Sequence, residues 1–191
     1  FLPETPFLFM LGVVRPKKNF HVLVDMLSRL DGLSLVIAGN TKGSYAQELR
    51  ERADALGLGE RVLVPGEITS SEKDWLMQHC EAFVFPSLYE GFGLPVLEAM
   101  ACGAPTLATN NSSLSEIIMR KDGLFKSAQP NDITDTLVKA LTNKNFRSEL
   151  SQYGLKRSKQ FSWEITAKKA WDAIEALTYK FQETFSTSGM N

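Results

Sequence analysis

Short, unbroken apolar runs recur along this chain, separated by segments whose apolar residues repeat at helical spacing. The first two runs, FLFMLGVV (7–14) and LSLVIAG (33–39), show no alternation of polar and apolar residues. A strand with one wet face would alternate, whereas a strand buried on both faces would not. Further runs follow in RVLVPG (61–66), AFVFP (82–86) and PTLAT (105–109), and GLFKS (123–127) would add another.

The intervening segments read as helices. One runs from about Asn19 to Leu30, with Phe20, Leu23, Val24, Leu27 and Leu30 on one side. The next, YAQELRERADALGL, closes near Gly57, as a helix with a glycine C-cap should. SSEKDWLMQHC (70–80) opens with the serine-and-acid pattern of a helix start, and SSLSEIIMR (112–120) is a short helix. Past Pro130 the chain reads as wholly helical, in NDITDTLVKALTN, NFRSELSQYGLKRSKQF and WEITAKKAWDAIEALTYKF, with STSGMN as a frayed tail.

Strands alternating with helices at this spacing imply right-handed βαβ units and a parallel sheet covered on both faces. The expected fold is a doubly wound α/β sandwich with C-terminal helices, a single domain over 1–191. With 191 residues, 43% of them hydrophobic, there is material for one full core. The net charge of −1 argues against a general nucleic-acid binder, which would need a broad basic surface. No apolar run approaches the ~20 residues that span a bilayer, and FLPETPFLFML lacks the basic region of a signal peptide. Cys80 and Cys102 lie in apolar stretches and read as small buried thiols in a reducing compartment. Because the sequence opens on Phe1 and enters a strand almost at once, it reads as a piece of a longer polypeptide.

In doubly wound sheets, ligands bind beyond the carboxyl ends of the strands, so the loops after residues 12, 39, 66, 86 and 109 matter most. GVVRPKKN brings Gly12, Arg15, Lys17, Lys18 and Asn19 to a helix entrance, with Asn19 as its N-cap. It is not a Walker loop, because Lys17 stands where the second glycine belongs. No strand end carries G-x-G-x-x-G. AGN places Gly39 and Asn40 at the same edge, and PGEI offers backbone that could face a flat base or simply turn.

The richest loop is EGFGLPVLE (90–98). Pro95 suits the first turn of a helix, which leaves the N–H groups of Phe92, Gly93, Leu94 and their neighbours without intrahelical partners. Such a helix start attracts anions, its dipole adding ~0.3–1 kcal/mol. Gly91 and Gly93 lack a Cβ, so a phosphate or sugar can approach the backbone. Glu90 and Glu98 flank this cradle as hydroxyl acceptors. A ligand with hydroxyls at both ends and phosphates between fits: a nucleoside diphosphate sugar.

On these residues the chain resembles a known family. FPSLYEGFGLPVLEAMACGAP, PKKN, VIAG and RVLVPGEI are similar to the C-terminal, donor-binding domain of retaining GT-B glycosyltransferases of family 4, over nearly the whole chain. The resemblance implies that Glu90 bonds the donor sugar, the N–H groups around Gly91 to Leu94 hold sugar and diphosphate, Glu98 takes the ribose, and Lys18 sits on the diphosphate. Gly12 and Gly39 would line the donor site. Many members carry an arginine directly after the glycine of the first loop; here that residue is Val13, and Arg15 lies two residues on.

By the same resemblance, an N-terminal domain absent from this sequence would hold the acceptor, a glycan or glycolipid, and supply any peripheral membrane contact. Localisation would be cytoplasmic, with no nucleic-acid partner. The absence of any D-x-D motif agrees with the metal-independent chemistry usual for the fold, so no metal or cofactor is expected. His21 and His79 fall on no strand-end loop and read as structural. The donor would be a UDP- or GDP-hexose, and GVVRPKKN is reminiscent of members using GDP-mannose. Two alternatives remain open on sequence: a non-catalytic sugar-nucleotide-binding module, and a GT-B-type epimerase, which would need acid/base groups beyond Glu90.

Overall fold

The computed structural model of the chain describes residues 3–188, with side chains through residue 178. It falls into two compact units, Phe1–Ser158 and Lys159–Asn191.

The first unit is built on six parallel strands: β1 (Phe7–Leu11), β2 (Ser34–Ala38), β3 (Val62–Gly66), β4 (Ala82–Phe85), β5 (Thr106–Thr109) and the two-residue β6 (Leu124–Phe125). Their order is β3-β2-β1-β4-β5-β6, so the direction of winding reverses between β1 and β4. The helices are α1 (His21–Leu27), α2 (Tyr45–Ala55), α3 (Ser70–His79), α4 (Leu94–Ala101), α5 (Ser112–Ile118), α6 (Pro130–Thr142) and α7 (Lys144–Ser158). The doubly wound parallel sheet expected from the apolar runs is therefore present.

The unbroken apolar runs have the reason expected of them. Leu8, Met10, Leu35, Ile37 and Val84 enter a core shared with residues of α1, α2 and α6, such as Leu23, Leu49 and Leu137. On the other face, Phe7 stacks on Trp75 of α3, Phe9 meets Phe83 edge-on and Phe83 stacks on Phe85. Burying a phenylalanine or leucine side chain contributes about 1.5–3 kcal/mol, so these strands are held from both sides.

Several boundaries differ from the sequence reading. The helix expected from Asn19 starts at His21, because Asn19 takes a left-handed conformation (φ 59°) and closes a 3-10 turn over Pro16–Lys18. Asn19 therefore caps no helix start; its side-chain amide donates to Ala128 O instead. At α3 the cap is Thr69: its hydroxyl accepts the Glu72 N–H while the Glu72 carboxylate accepts the Thr69 N–H. Gly57 follows the end of α2 at φ +69°, as a glycine stop should. Both cysteines are free, but only Cys80 is buried; Cys102 is half-buried.

The second unit carries α8 (Trp163–Ser188), begun by Ser162, whose hydroxyl accepts the Ile165 N–H. Trp163, Trp171, Ile174 and Leu177 on it are exposed. The tail read as frayed is helical to Ser188, and its remainder lies outside the described residues. Among the described residues no helix is long and apolar enough to cross a membrane.

Candidate functional site

The loops after β1 and β4 leave the sheet side by side at the point where its winding reverses, the place where such sheets open a crevice. The two strand ends at β1 and β2 come together through glycine. A Cβ on Gly39, at φ +132°, would lie 2.1 Å from Gly12 O, so no other residue allows this approach. Gly12 donates its N–H to Ala38 O, and a Cβ on it would face the end of the Lys18 side chain at 3.4 Å.

Lys18 is buried although it sits in a basic turn. Pro16 opens the 3-10 turn and Asn19 closes it, which swings Lys18 inward while Arg15 and Lys17 stay exposed. The Lys18 ammonium lies 2.6 Å from Glu90 Oε1 and 4.7 Å from the centre of the Phe85 ring. A lone buried ammonium would be strongly unfavourable; the carboxylate and the ring face together make the position tenable. Leu88 N–H also donates to Lys17 O at 2.9 Å, so the backbones of the two loops are joined as well.

Past Glu90 the chain turns through Gly91, which is exposed and where a Cβ would meet open space. Gly93, the N-cap of α4, needs its glycine for two reasons: φ is +104°, and a Cβ would lie 2.7 Å from Leu114 Cδ2. Pro95 stands in the first turn of α4, as expected. The N–H groups of Gly91, Gly93 and Leu94 donate to no group among the described residues. The Phe92 and Leu94 side chains are exposed beside them.

Glu98 lies within α4, half-exposed, its carboxylate 3.2 Å from Lys73 Nζ of α3. Arg15 gives its carbonyl to the Lys18 N–H, and its side chain points to solvent. In PGEI, Gly66 O accepts the Gly39 N–H and the Glu67 carboxylate accepts the Asn40 amide at 2.7 Å. His21, the first residue of α1, bonds the hydroxyl of Tyr45, the first residue of α2, and His79 stacks on Trp75. Among the described residues no group of three or more His, Cys, Asp or Glu side chains is placed to hold a metal ion.

Residues 2–157 match the family model described as glycosyl transferases group 1. The chain belongs to that family. It is 36% identical over 189 residues to a serotype-specific mannosyltransferase WbdA of Escherichia coli, covering 96% of this chain and 23% of WbdA. It is 32% identical to the O-antigen chain mannosyltransferase B of the same species, covering 87% of this chain and 45% of that protein. The chain thus spans less than half the length of these relatives. Among solved structures, the sucrose-phosphate synthase of Thermosynechococcus elongatus superposes with a TM-score of 0.83 at 23% identity, over 94% of this chain and 47% of that one. Anabaena HepE in complex with UDP-glucose gives 0.81 at 19% identity, over 91% of this chain and 49% of that one. These structures establish the fold alone: a Rossmann-like half of the GT-B architecture.

Two features of this group 1 chain were not read from its sequence. One is that Lys18 and Glu90, assigned to the diphosphate and to the sugar of a ligand, touch each other. The other is the loop after β5. Asn111 donates its amide to Ser87 O and Leu88 O, the Ser112 hydroxyl accepts the Glu90 N–H, and the Ser113 hydroxyl donates to Glu90 O and Phe92 O. Together they hold the 87–92 backbone. The signal was present as the polar cluster NNSS directly after a strand, but the reading used it only as a helix start.

Proposed function

We propose that this chain binds a nucleoside diphosphate hexose across the carboxyl edge of its sheet, as the donor part of a retaining hexosyltransferase. The observation that carries this reading is the meeting of Lys18 and Glu90 at the winding reversal, beside the N–H groups of Gly91, Gly93 and Leu94, which have no partner among the described residues. A cation and free N–H donors suit a diphosphate, and a carboxylate next to them suits the hydroxyls of the sugar. Glu98, further along α4, would take the ribose. The relatives named mannosyltransferases support a mannosyl donor, which we take to be GDP-mannose, although HepE was solved with UDP-glucose.

Transfer breaks the bond between the sugar C1 and the phosphate oxygen, leaving negative charge on the diphosphate and positive charge on the ring. Donors already in place where that charge develops are commonly the largest catalytic contribution. Lys18 and the start of α4 would supply them, with Arg15 as a second cation, and no metal is assigned to the site. Glu90 serves as hydroxyl anchor; no protein nucleophile is assigned. An acceptor hydroxyl, on a glycan or glycolipid, has to be held within ~3–3.5 Å of C1. The exposed side chains of Val13, Leu88, Tyr89, Phe92 and Leu94 around the site suit a second wall, such as an N-terminal domain, closing over it.

The test is thermal unfolding with GDP, UDP, ADP and dTDP, combined with a transfer assay on the whole polypeptide that carries this chain. GDP should raise the Tm most, and Lys18→Ala should lower kcat by ~10²–10³. A chain stabilised by none of the nucleotides contradicts the reading.

A further inference from the structure

Glu90 Oε1 receives two hydrogen bonds, from Lys18 Nζ at 2.6 Å and from Ser87 Oγ at 2.5 Å. Lys18 already has a part in the proposed reaction; Ser87 has none. Ser87 lies two residues beyond β4 and has no exposed surface. Its hydroxyl has one proton and three acceptors in reach: Glu90 Oε1 at 2.5 Å, and Lys17 O and Tyr89 O, each at 3.3 Å. Charge-assisted O–H···O⁻ bonds are the short, strong kind, at about 2.5–2.7 Å. The proton therefore belongs on the bond to the carboxylate.

The other contacts to this loop act on its backbone. Asn111, Ser112 and Ser113 reach the main chain of residues 87, 88, 90 and 92, and none of them touches the Glu90 carboxylate. Among the described residues its orientation is left to Lys18 and Ser87. Both bond Oε1, which leaves Oε2 to face a ligand. The two donors do not behave alike when an anion arrives. A diphosphate at the start of α4 competes with Glu90 for the Lys18 ammonium. The Ser87 hydroxyl is uncharged and fully enclosed, and the anion cannot draw it away.

Resting on the donor-binding reading above, we propose that Ser87 is the positioning residue of the sugar anchor. It holds Glu90 Oε1 in place once Lys18 is shared with the diphosphate, and so keeps Oε2 aimed at the hexose hydroxyls. It touches no ligand itself and acts only through Glu90.

Titration calorimetry on the whole polypeptide that carries this chain tests this, using two ligand pairs: GDP with GDP-mannose, and UDP with UDP-glucose. For the pair that the wild type binds, Ser87→Ala should leave the nucleoside diphosphate affinity within about twofold, while the nucleotide-sugar affinity falls about tenfold. An equal loss for both members of the pair overturns the inference, because it marks a loop that has lost its shape. No loss for either overturns it too, as a hydroxyl without a part in sugar binding. A wild type that binds neither pair contradicts the proposed function itself, and this inference with it.

Discussion

Lys18 and Glu90 stand 72 residues apart in the chain and share a hydrogen bond of 2.6 Å in which each side chain is about nine-tenths buried. Enclosed ion pairs are asymmetric in their energetics. Forming one gains little overall, but removing one partner leaves a buried charge and costs about 3–5 kcal/mol. Lys18→Met and Glu90→Gln should each destabilise the chain on that scale in urea unfolding. The double variant should lose clearly less than the sum. Additive losses would mean that the two groups do not stabilise each other.

The second prediction concerns Glu98, which lies beyond the glycine turn and pairs with Lys73. Glu98→Ala should weaken GDP binding about ten- to a hundredfold, the worth of one hydrogen bond to a charged group. Inorganic pyrophosphate should bind as it does to the wild type, since it has no ribose. Calorimetry with both ligands decides; equal loss for the two removes Glu98 from the ribose.

A third prediction is a pH dependence of stability. Burial first, and then the charge of Arg52, hold the His21 imidazole below its ordinary 6.5, against an opposing pull from Asp25. The unfolded chain therefore takes up this proton at a higher pH than the folded one. The contribution of neutral His21 is complete above 6.5 and is lost as the pH falls through the lower folded value. In urea unfolding at a series of pH values from neutral into the acid range, His21→Gln should lose stability less steeply than the wild type. Parallel curves would show that His21 has no share in the acid sensitivity.

The sheet was legible because its strands are buried on both faces, so each appears as an unbroken apolar run from Phe7 to Leu11 or Ala82 to Phe85. Boundaries set by a side chain's local choice were not. Asn19 ends a turn where a helix start was expected, because it reaches Ala128, a partner 109 residues away that periodicity cannot reveal. The loops of the candidate site were found from the rule that ligands sit at strand ends, and the glycine-rich helix start was found from its spacing. The Lys18–Glu90 contact was missed because each residue was weighed against a ligand and never against the other. Ser87 was missed because a lone serine after a strand carries no signal until its neighbours are placed.

The central claim is that a nucleoside diphosphate binds where the loops after β1 and β4 meet at the start of α4. Backbone amide NMR of the 191-residue chain during titration with GDP and UDP tests this most directly. The account predicts that the amide signals of Gly91, Gly93 and Leu94 move together with those of Gly12 and Lys18, while those of Gly59 and Val62, around the separate hollow lined by Arg50 and Pro65, stay fixed. Shifts centred on that hollow, or saturable binding that leaves Gly91 to Leu94 unmoved, would contradict it.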